Sequence, residues 1–186
     1  MEEFEKHNEK IPKCIAVANR IINRTNSHNM WRAEQGLPRV SLNGRRLQKI
    51  LYLCQLFWYA DHDESKMITE DFVAWPNGPV IPQIYNYFLV WQEGDMCPIR
   101  DAGIYSLTPE EKELINKVVD NTIDISTETM IDYTHSPDGP WAPVYKNYHG
   151  AYDIIPKESI KQYIRDKQHR EELIDFVKTK KLKRHK

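Results

Sequence analysis

Residues 45–60 constrain the fold of this 186-residue chain more than any other segment. The i, i+3, i+4, i+7 spacing of one helix face is occupied there by Leu47, Ile50, Leu51, Cys54, Phe57 and Trp58. Leu53 and Leu56 add apolar side chains to the remaining faces. A helix that is apolar nearly all round lies in the interior of a domain, so the other elements are expected to pack around this one. Asn43 or Ser41 is placed to cap its start.

Seven further helices are predicted from apolar spacing and from helix-start signals. The clearest signal is at Thr108, because Pro109 follows at the first helical position and Glu111 completes a capping box. The other six predicted helices cover residues 11–24, residues 81–92, a segment from Ser126 to about His135, segments that begin at Pro140 and at Pro156, and residues 171–180.

Extended structure is expected in only a few places. Residues 66–74 favour a short strand because they include β-branched and aromatic residues, and residues 97–107 are predicted to hold one or two more. Residues 25–44 are polar and contain two glycines and a proline, so they are predicted to form a long loop with a helical turn near Trp31. The expected fold is mainly α: a compact helical domain with a small two- or three-stranded β element.

Two proline-rich segments are predicted to form rigid turns. Residues 75–79 read WPNGP and residues 136–140 read SPDGP. In each, two prolines restrict the backbone and a glycine permits conformations that other residues avoid. Trp75 and Trp141 flank these turns, and either core packing or contact with a partner would use their large rings. Core packing is the interpretation we favour for both.

Composition and charge exclude several classes of protein. The formal net charge of −1 gives no general attraction to nucleic acid or to acidic membranes, and no apolar run is long enough to span a bilayer. Residues 1–10 are charged and lack the hydrophobic region of a signal peptide. The three cysteines form no C-x-x-C pair, which favours reduced thiols in a cytoplasmic protein. We expect a flexible N-terminus over residues 1–10, one domain over residues 11–177 and a basic tail over residues 178–186.

Motifs for catalysis and for cofactors are missing from the sequence. It contains no glycine-rich phosphate loop, no H-E-x-x-H and no G-x-S-x-G, and none of the seven histidines has a second histidine or a cysteine at i+3 or i+4. We therefore predict no cofactor and no metal. Asp132 and His135 share a helix face and leave a small hydrolase open as an alternative, although a structural role for His135 at the helix end is favoured.

Three stretches of the chain resemble the Panacea domain family of antitoxin and phage-associated proteins. The first is RLQKILY at residues 46–52, and the second is DFVAWPNGPVIPQIY at residues 71–85. The third is His135 followed by the pair Pro140 and Trp141. The resemblance extends over most of the chain, whereas residues 25–42 depart from the family pattern and are a candidate partner-specific segment.

The resemblance implies a function in protein binding. Such proteins neutralise a toxin encoded beside them, usually by direct contact; one type instead presents its toxin to a cytoplasmic protease, and members are not known as enzymes. The residues carried over from the motifs, in a partner-binding or structural role, are Gln48, Lys49, Tyr52, Trp75, Asn77, Gly78, Pro79, Tyr85, His135, Pro140 and Trp141. From the sequence, Gln48 and Lys49 either bond a neighbouring loop or line a polar groove. A DNA-binding autoregulator is disfavoured by the neutral charge.

Overall fold

The structure is a computed structural model that describes residues 12–62, 65–89, 96–99, 106–146 and 152–178. Within these residues there are eight helices and one two-stranded antiparallel sheet. The helices are α1 Lys13–Glu34, α2 Gly44–Asp61, α3 Pro82–Tyr87, α4 Pro109–Thr122, α5 Thr127–Thr134, α6 Trp141–Tyr145, α7 Lys157–Arg165 and α8 Lys167–Lys178, and the strands are β1 Val73–Trp75 and β2 Gly78–Val80. The predicted mainly α fold with a small β element is confirmed.

Helix α2 is the centre of the domain, as its apolar pattern predicts. It packs against α1, α4, α5, α7 and β2. Leu47, Leu51 and Leu53 are fully buried, and burial of each leucine side chain is worth roughly 1.5–3 kcal/mol. The Asn43 side chain caps the helix by accepting a hydrogen bond from the Arg46 backbone N–H at 2.9 Å. Burial raises the pKa of the Cys54 thiol, which makes it an unreactive core group.

Helix α1 extends ten residues past its predicted end, so the expected loop over residues 25–44 is wrong for residues 25–34. Several polar side chains along α1 pair with α4 or with Asp124 just after it. The pairs recur once per helical turn of α1: Arg20 with Asn116, Arg24 and His28 with Asp120, and Arg32 with Asp124. Only residues 35–43 connect α1 to α2 without regular structure.

The sheet is a short hairpin that includes the predicted turn. Val73 pairs with Val80 and Trp75 with Gly78, so the predicted strand over residues 66–74 is wrong except for its last two residues. Upstream of β1, the Ile68 backbone N–H donates to the Gln55 side chain at 2.8 Å rather than to a neighbouring strand. The outer edge of β1 is covered by residues 152–155, whose backbone bonds Phe72 and Ala74.

The strands predicted within residues 97–107 are not present in the part of that segment that the structure describes. Residues 97–99 and 106–107 have no strand pairing, and residues 100–105 lie outside the described residues. The Asn19 side chain takes the place of a strand partner, because it accepts from the Ile99 N–H at 2.9 Å and donates to the Ile99 oxygen at 2.9 Å. Met96, in the same part of the chain as Ile99, is buried.

The remaining helices follow the sequence signals with shifted ends. The predicted capping box at Thr108 is present at the start of α4. Helix α5 begins after its N-cap residue Ser126, and His135 is its C-cap residue. Helix α3 ends at Tyr87, short of the predicted end at residue 92, while residues 90–92 and 179–180 lie outside the described residues. Helix α8 begins at Lys167, four residues earlier than predicted. None of the described helices has the length and apolar character needed to cross a bilayer.

Candidate protein-binding groove

Two side chains of α2 fix the hairpin against the core. The Gln48 side chain makes a pair of hydrogen bonds with the Ile81 main chain, accepting from its N–H at 2.9 Å and donating to its oxygen at 3.1 Å. The Lys49 ammonium donates to the Pro79 oxygen at 3.2 Å. Both side chains are buried. Residues 46–52 therefore hold residues 71–85 in place through hydrogen bonds to main-chain atoms.

The third stretch fixes the hairpin from the other side. The Trp141 indole N–H donates to the Trp75 oxygen at 2.9 Å. The Trp141 ring stacks on the His135 ring, with 4.0 Å between centroids and 3° between planes, and on the Tyr145 ring at 4.5 Å. Trp141 is only 8% exposed, so its ring packs within the protein, whereas Trp75 is half-buried. All three stretches meet around one hairpin.

Gly78 is the closest point between the hairpin and the helices beneath it. Its φ of +99° lies in the left-handed region, which side chains with a Cβ rarely adopt. A Cβ at this position would overlap Lys49 Nζ and would lie 3.0 Å from Thr134 Oγ1 and 3.1 Å from His135 Nε2. The absence of a side chain at residue 78 is what allows these three polar atoms to approach the hairpin.

Within the part of the chain that the structure describes, no carboxylate forms an ion pair with Lys49 or His135 beneath the hairpin. Lys49 is 1% exposed, and within the described residues its only hydrogen-bond acceptor is the Pro79 oxygen. Burial lowers the pKa of this ammonium to about 7. Burial also lowers the pKa of His135, with a further contribution from the Lys49 charge, and its buried Nε2 atom has no hydrogen-bond partner. Buried polar groups without partners are uncommon and point to a functional or strained site.

A groove of about 470 Å³ opens beside the hairpin, between the first turns of α2 and helix α3. We call it the hairpin groove, and its lining includes Arg45, Gln48, Lys49, Trp75, Asn77, Val80, Ile84, Tyr85, Phe88 and Tyr152. Trp75 is at the centre of its aromatic side. Its ring contacts the Tyr85 ring at 4.8 Å and the Tyr152 ring at 5.5 Å, both edge to face. Tyr85 and Tyr152 are 39% and 65% exposed, so this aromatic cluster is open to solvent.

A family model described as antitoxin SocA-like, Panacea domain, matches residues 47–142, just over half of the chain. The chain belongs to this family. Comparisons with curated proteins and with solved structures find no match. The Panacea match contains most of α2, the hairpin, α3 and Trp141, and it leaves out α1, α7 and α8.

The motif residues of the Panacea domain separate into two groups in space. Those that line the hairpin groove are Gln48, Lys49, Trp75, Asn77 and Tyr85. Those that support it from behind are Gly78, Pro79, His135, Pro140 and Trp141. Tyr52 belongs to neither group, because it is buried in the core with its ring 5.1 Å from that of Phe72. For Gln48 and Lys49, the structure has both features that the sequence left open: they bond the hairpin segment and they line a groove.

Arg45 and Tyr152 are among the groove residues that the sequence analysis missed. Arg45 lies one turn before Lys49 on the same face of α2, so helical spacing alone was sufficient to find it. Tyr152 reaches the groove from a distant part of the chain, and no local pattern predicts it. Its φ of +74° is unusual for a residue with a side chain, and its N–H donates to the Ala74 oxygen at 2.7 Å. Strain of this kind often accompanies functional positions.

Other candidate sites have less support in the described residues. A second groove of about 460 Å³ between α2, α4 and α8 carries both acidic and basic groups, including Asp61, Glu110 and Lys117. No group of three metal-ligating side chains is found in the described part of the chain. Asp132 is exposed, and its charge is the smallest of the influences on the pKa of His135. These contacts favour the structural role of His135 over the hydrolase alternative.

Proposed function

We propose that this protein is a cytoplasmic, antitoxin-like binding module that neutralises a protein toxin encoded nearby by direct contact through the hairpin groove. The observation that supports this most is the aromatic cluster beside a preformed groove, in which the half-buried Trp75 contacts the exposed Tyr85 and Tyr152. Membership in a family whose description names an antitoxin supports the same conclusion. No cofactor is needed for such a function.

The aromatic cluster has the properties of a binding anchor. Trp and Tyr are enriched among the interface residues whose truncation costs about 2 kcal/mol or more. Trp75, at the centre of the cluster, stands on a hairpin that is bonded to the core through Gln48, Lys49 and Trp141. A rigid surface loses little conformational entropy on binding, so more of the contact energy remains as affinity.

Co-expression with the products of the adjacent genes tests this proposal. Each product is induced alone and together with this protein, and growth and co-purification are measured. We expect one product to stop growth alone and to be tolerated and co-purified with this protein. The proposal is contradicted if no adjacent product is both toxic and rescued. The half-life of the partner separates two modes of action: direct sequestration leaves it unchanged or longer, whereas a protease adaptor shortens it.

Two tyrosines of α3 make a matched pair for locating the contact surface. Tyr85→Ala removes a groove side chain, while Tyr87→Ala removes a tyrosine that is 47% exposed but does not line the groove. We expect Tyr85→Ala and Tyr152→Ala to weaken partner binding by about tenfold or more, equivalent to ~1.4 kcal/mol, and Tyr87→Ala to bind like the wild type. Equal effects of Tyr85→Ala and Tyr87→Ala would place the interface elsewhere. Calorimetric titration of the purified pair measures these affinities.

A further inference from the structure

The outer edge of the hairpin along β1 is already paired. The Ala74 N–H donates to the Asp153 oxygen at 2.8 Å, and the Ala74 oxygen accepts from the Tyr152 N–H at 2.7 Å. Just before the strand, the Phe72 oxygen accepts from the Ile155 N–H at 2.8 Å. A partner strand adds to a sheet where an edge has free main-chain groups, and these groups of β1 are occupied.

The other edge of the hairpin, along β2, is closed by side chains of α2. Pro79 and Ile81 carry the main-chain groups that face away from β1. Pro79 has no N–H, and its oxygen accepts from the Lys49 ammonium. The Ile81 N–H and oxygen are both bonded to the Gln48 side chain. Neither edge of the hairpin, as far as the structure describes it, therefore offers main-chain partners to an added strand.

The same two side chains make the α2 side of the hairpin groove apolar. Gln48 and Lys49 line the groove, but their polar ends are bonded to the main chain beneath the hairpin. Their aliphatic parts are what remains for contact with an occupant. Arg45 is the one exposed charged residue among the described lining residues. Aromatic and aliphatic side chains form the opposite side, among them Trp75, Ile84, Tyr85, Phe88, Leu89 and Tyr152.

We propose that the hairpin groove receives an amphipathic helix of the partner protein, with uncharged apolar side chains one turn apart seated against Trp75, Tyr85 and Leu89. This inference rests on the proposed function, since it states the form and chemistry of the partner segment. A helix bonds its own main chain, so it does not need the occupied hairpin edges. Its side chains at i and i+4 share one face. The groove volume of about 470 Å³ lies within the range of pockets that enclose apolar ligands.

Other occupants fit these observations less well. An extended peptide buried against apolar side chains would leave its own N–H and C=O groups without partners, which costs free energy. A charged side chain would lose its hydration without gaining a buried counter-ion. Sites for single-stranded nucleic acid follow several phosphates along a continuous positive track, whereas Arg45 is the one exposed cation that lines this groove in the described residues.

Small probes test the chemistry of the groove without the partner. The full chain is titrated with the uncharged 3-phenylpropionamide and with its anionic analogue 3-phenylpropionate, and the tryptophan indole N–H signals are followed by NMR. We expect the amide to bind at millimolar concentrations, at least as tightly as the carboxylate does. Tighter binding of the carboxylate, or no binding of the amide in this range, would overturn the proposal.

Peptide selection tests the form of the occupant. Random peptides of roughly 15 residues, about four helical turns, are displayed on phage and selected against the full chain. We expect the enriched peptides to share apolar residues spaced three or four positions apart and to be displaced by 3-phenylpropionamide. No enrichment, or the alternating apolar pattern of a strand, would overturn the proposal. Peptides that a thymidine oligonucleotide displaces and the amide does not would also overturn it.

Two exposed leucines make a matched pair that locates the site. Leu89 and Leu37 are 44% and 43% exposed, and of the two only Leu89 lines the groove. Leu89→Ser should weaken binding of the selected peptides by about fivefold or more, whereas Leu37→Ser should bind them as the wild type does. Equal effects of the two substitutions would refute the assignment to this groove.

The same variants separate this inference from the proposed function. Failure of toxin rescue, with the helical peptides still bound at the groove, would refute only the proposed function. Toxin rescue and toxin affinity that are unchanged in Leu89→Ser would refute only the helix in the groove.

Discussion

Gly78 connects the local backbone to the arrangement of the groove. Replacement by alanine is expected to destabilise the protein by about 3 kcal/mol or more, because strain at φ +99° adds to the overlap of the new Cβ with Lys49 Nζ. Gly36 provides the control. Its φ is +66° and nothing lies within 4 Å of an added Cβ, so Gly36→Ala should cost only about 1–2 kcal/mol. Urea unfolding of both variants measures the difference, and equal losses would contradict the crowding described for Gly78.

The Lys49 ammonium is expected to make stability depend on pH. Because burial lowers its pKa from 10.5 to about 7, the folded state releases this proton at a lower pH than the unfolded state does. The unfolded state therefore binds more protons between pH 7 and pH 10, so the free energy of unfolding should rise with pH in that window. His135 lies beside Lys49, and its pKa is lowered from 6.5, so it titrates below the window.

Lys49→Met isolates this dependence. The free energy of unfolding of the wild type, relative to that of Lys49→Met, is expected to increase by roughly 1–3 kcal/mol between pH 7 and pH 9, since one pKa unit corresponds to about 1.4 kcal/mol. Below pH 7 the difference should stay nearly constant. Denaturant unfolding of the two proteins at a series of pH values provides the measurement. A difference that does not change with pH would show that the amine is protonated equally in both states.

At the scale of elements, Arg46 joins the start of α2 to the end of α4. Its buried guanidinium donates to the main-chain oxygens of Thr122, Ile123 and Ile125 at 2.7–2.9 Å. A lysine cannot reproduce this planar set of donors, so Arg46→Lys should lose about 2–4 kcal/mol of stability. The neighbouring Arg45→Lys changes an exposed side chain and should stay within about 0.5 kcal/mol of the wild type. Thermal unfolding of the two variants tests this. Similar losses of stability would mean that the hydrogen bonds of the Arg46 guanidinium contribute little.

Which elements could be predicted depends on where their stability comes from. Helix α2 was predictable because its own side chains are apolar on nearly every face. The second half of α1 was not, because its polar residues are stabilised by distant partners, with His28 bonded to Asp120 on α4 and Arg32 to Asp124 just after α4. The spacing of Arg20, Arg24, His28 and Arg32 by four residues was the available signal. Strands of three residues carry too little alternation for their ends to be located from sequence.

At the scale of the molecule, the groove could be predicted only in part. Its motif residues on α2 and the hairpin were identified through the family resemblance, and the central position of α2 brings them together. The aromatic cluster could not be assembled from sequence, because Tyr152 lies far along the chain from Trp75 and Tyr85. Its placement depends on the bonds between residues 152–155 and the edge of β1. The shape of the binding surface is thus a property of the complete fold.

Two tryptophans allow the coupling between the core and the groove to be measured. Trp141 stacks on His135 at 4.0 Å and donates its N–H to the Trp75 oxygen; Trp58 stacks on His62 at 3.8 Å and donates to the Ser65 oxygen at 3.0 Å. Both are buried, and neither lines the groove. Trp141→Phe and Trp58→Phe should therefore each lose about 1–2 kcal/mol of stability, through one hydrogen bond and a smaller ring.

Partner binding should distinguish the two substitutions. Trp141→Phe releases the main chain of Trp75, which holds the aromatic cluster, and a less rigid surface loses more entropy on binding. We expect it to weaken the affinity for the partner several-fold, measured by calorimetric titration, whereas Trp58→Phe should bind as the wild type does. Matched affinities in the two variants would show that the cluster keeps its geometry without this bond. The rigidity of the groove would then come from the bonds of Gln48 and Lys49 to the hairpin and from the backbone bonds between residues 152–155 and β1.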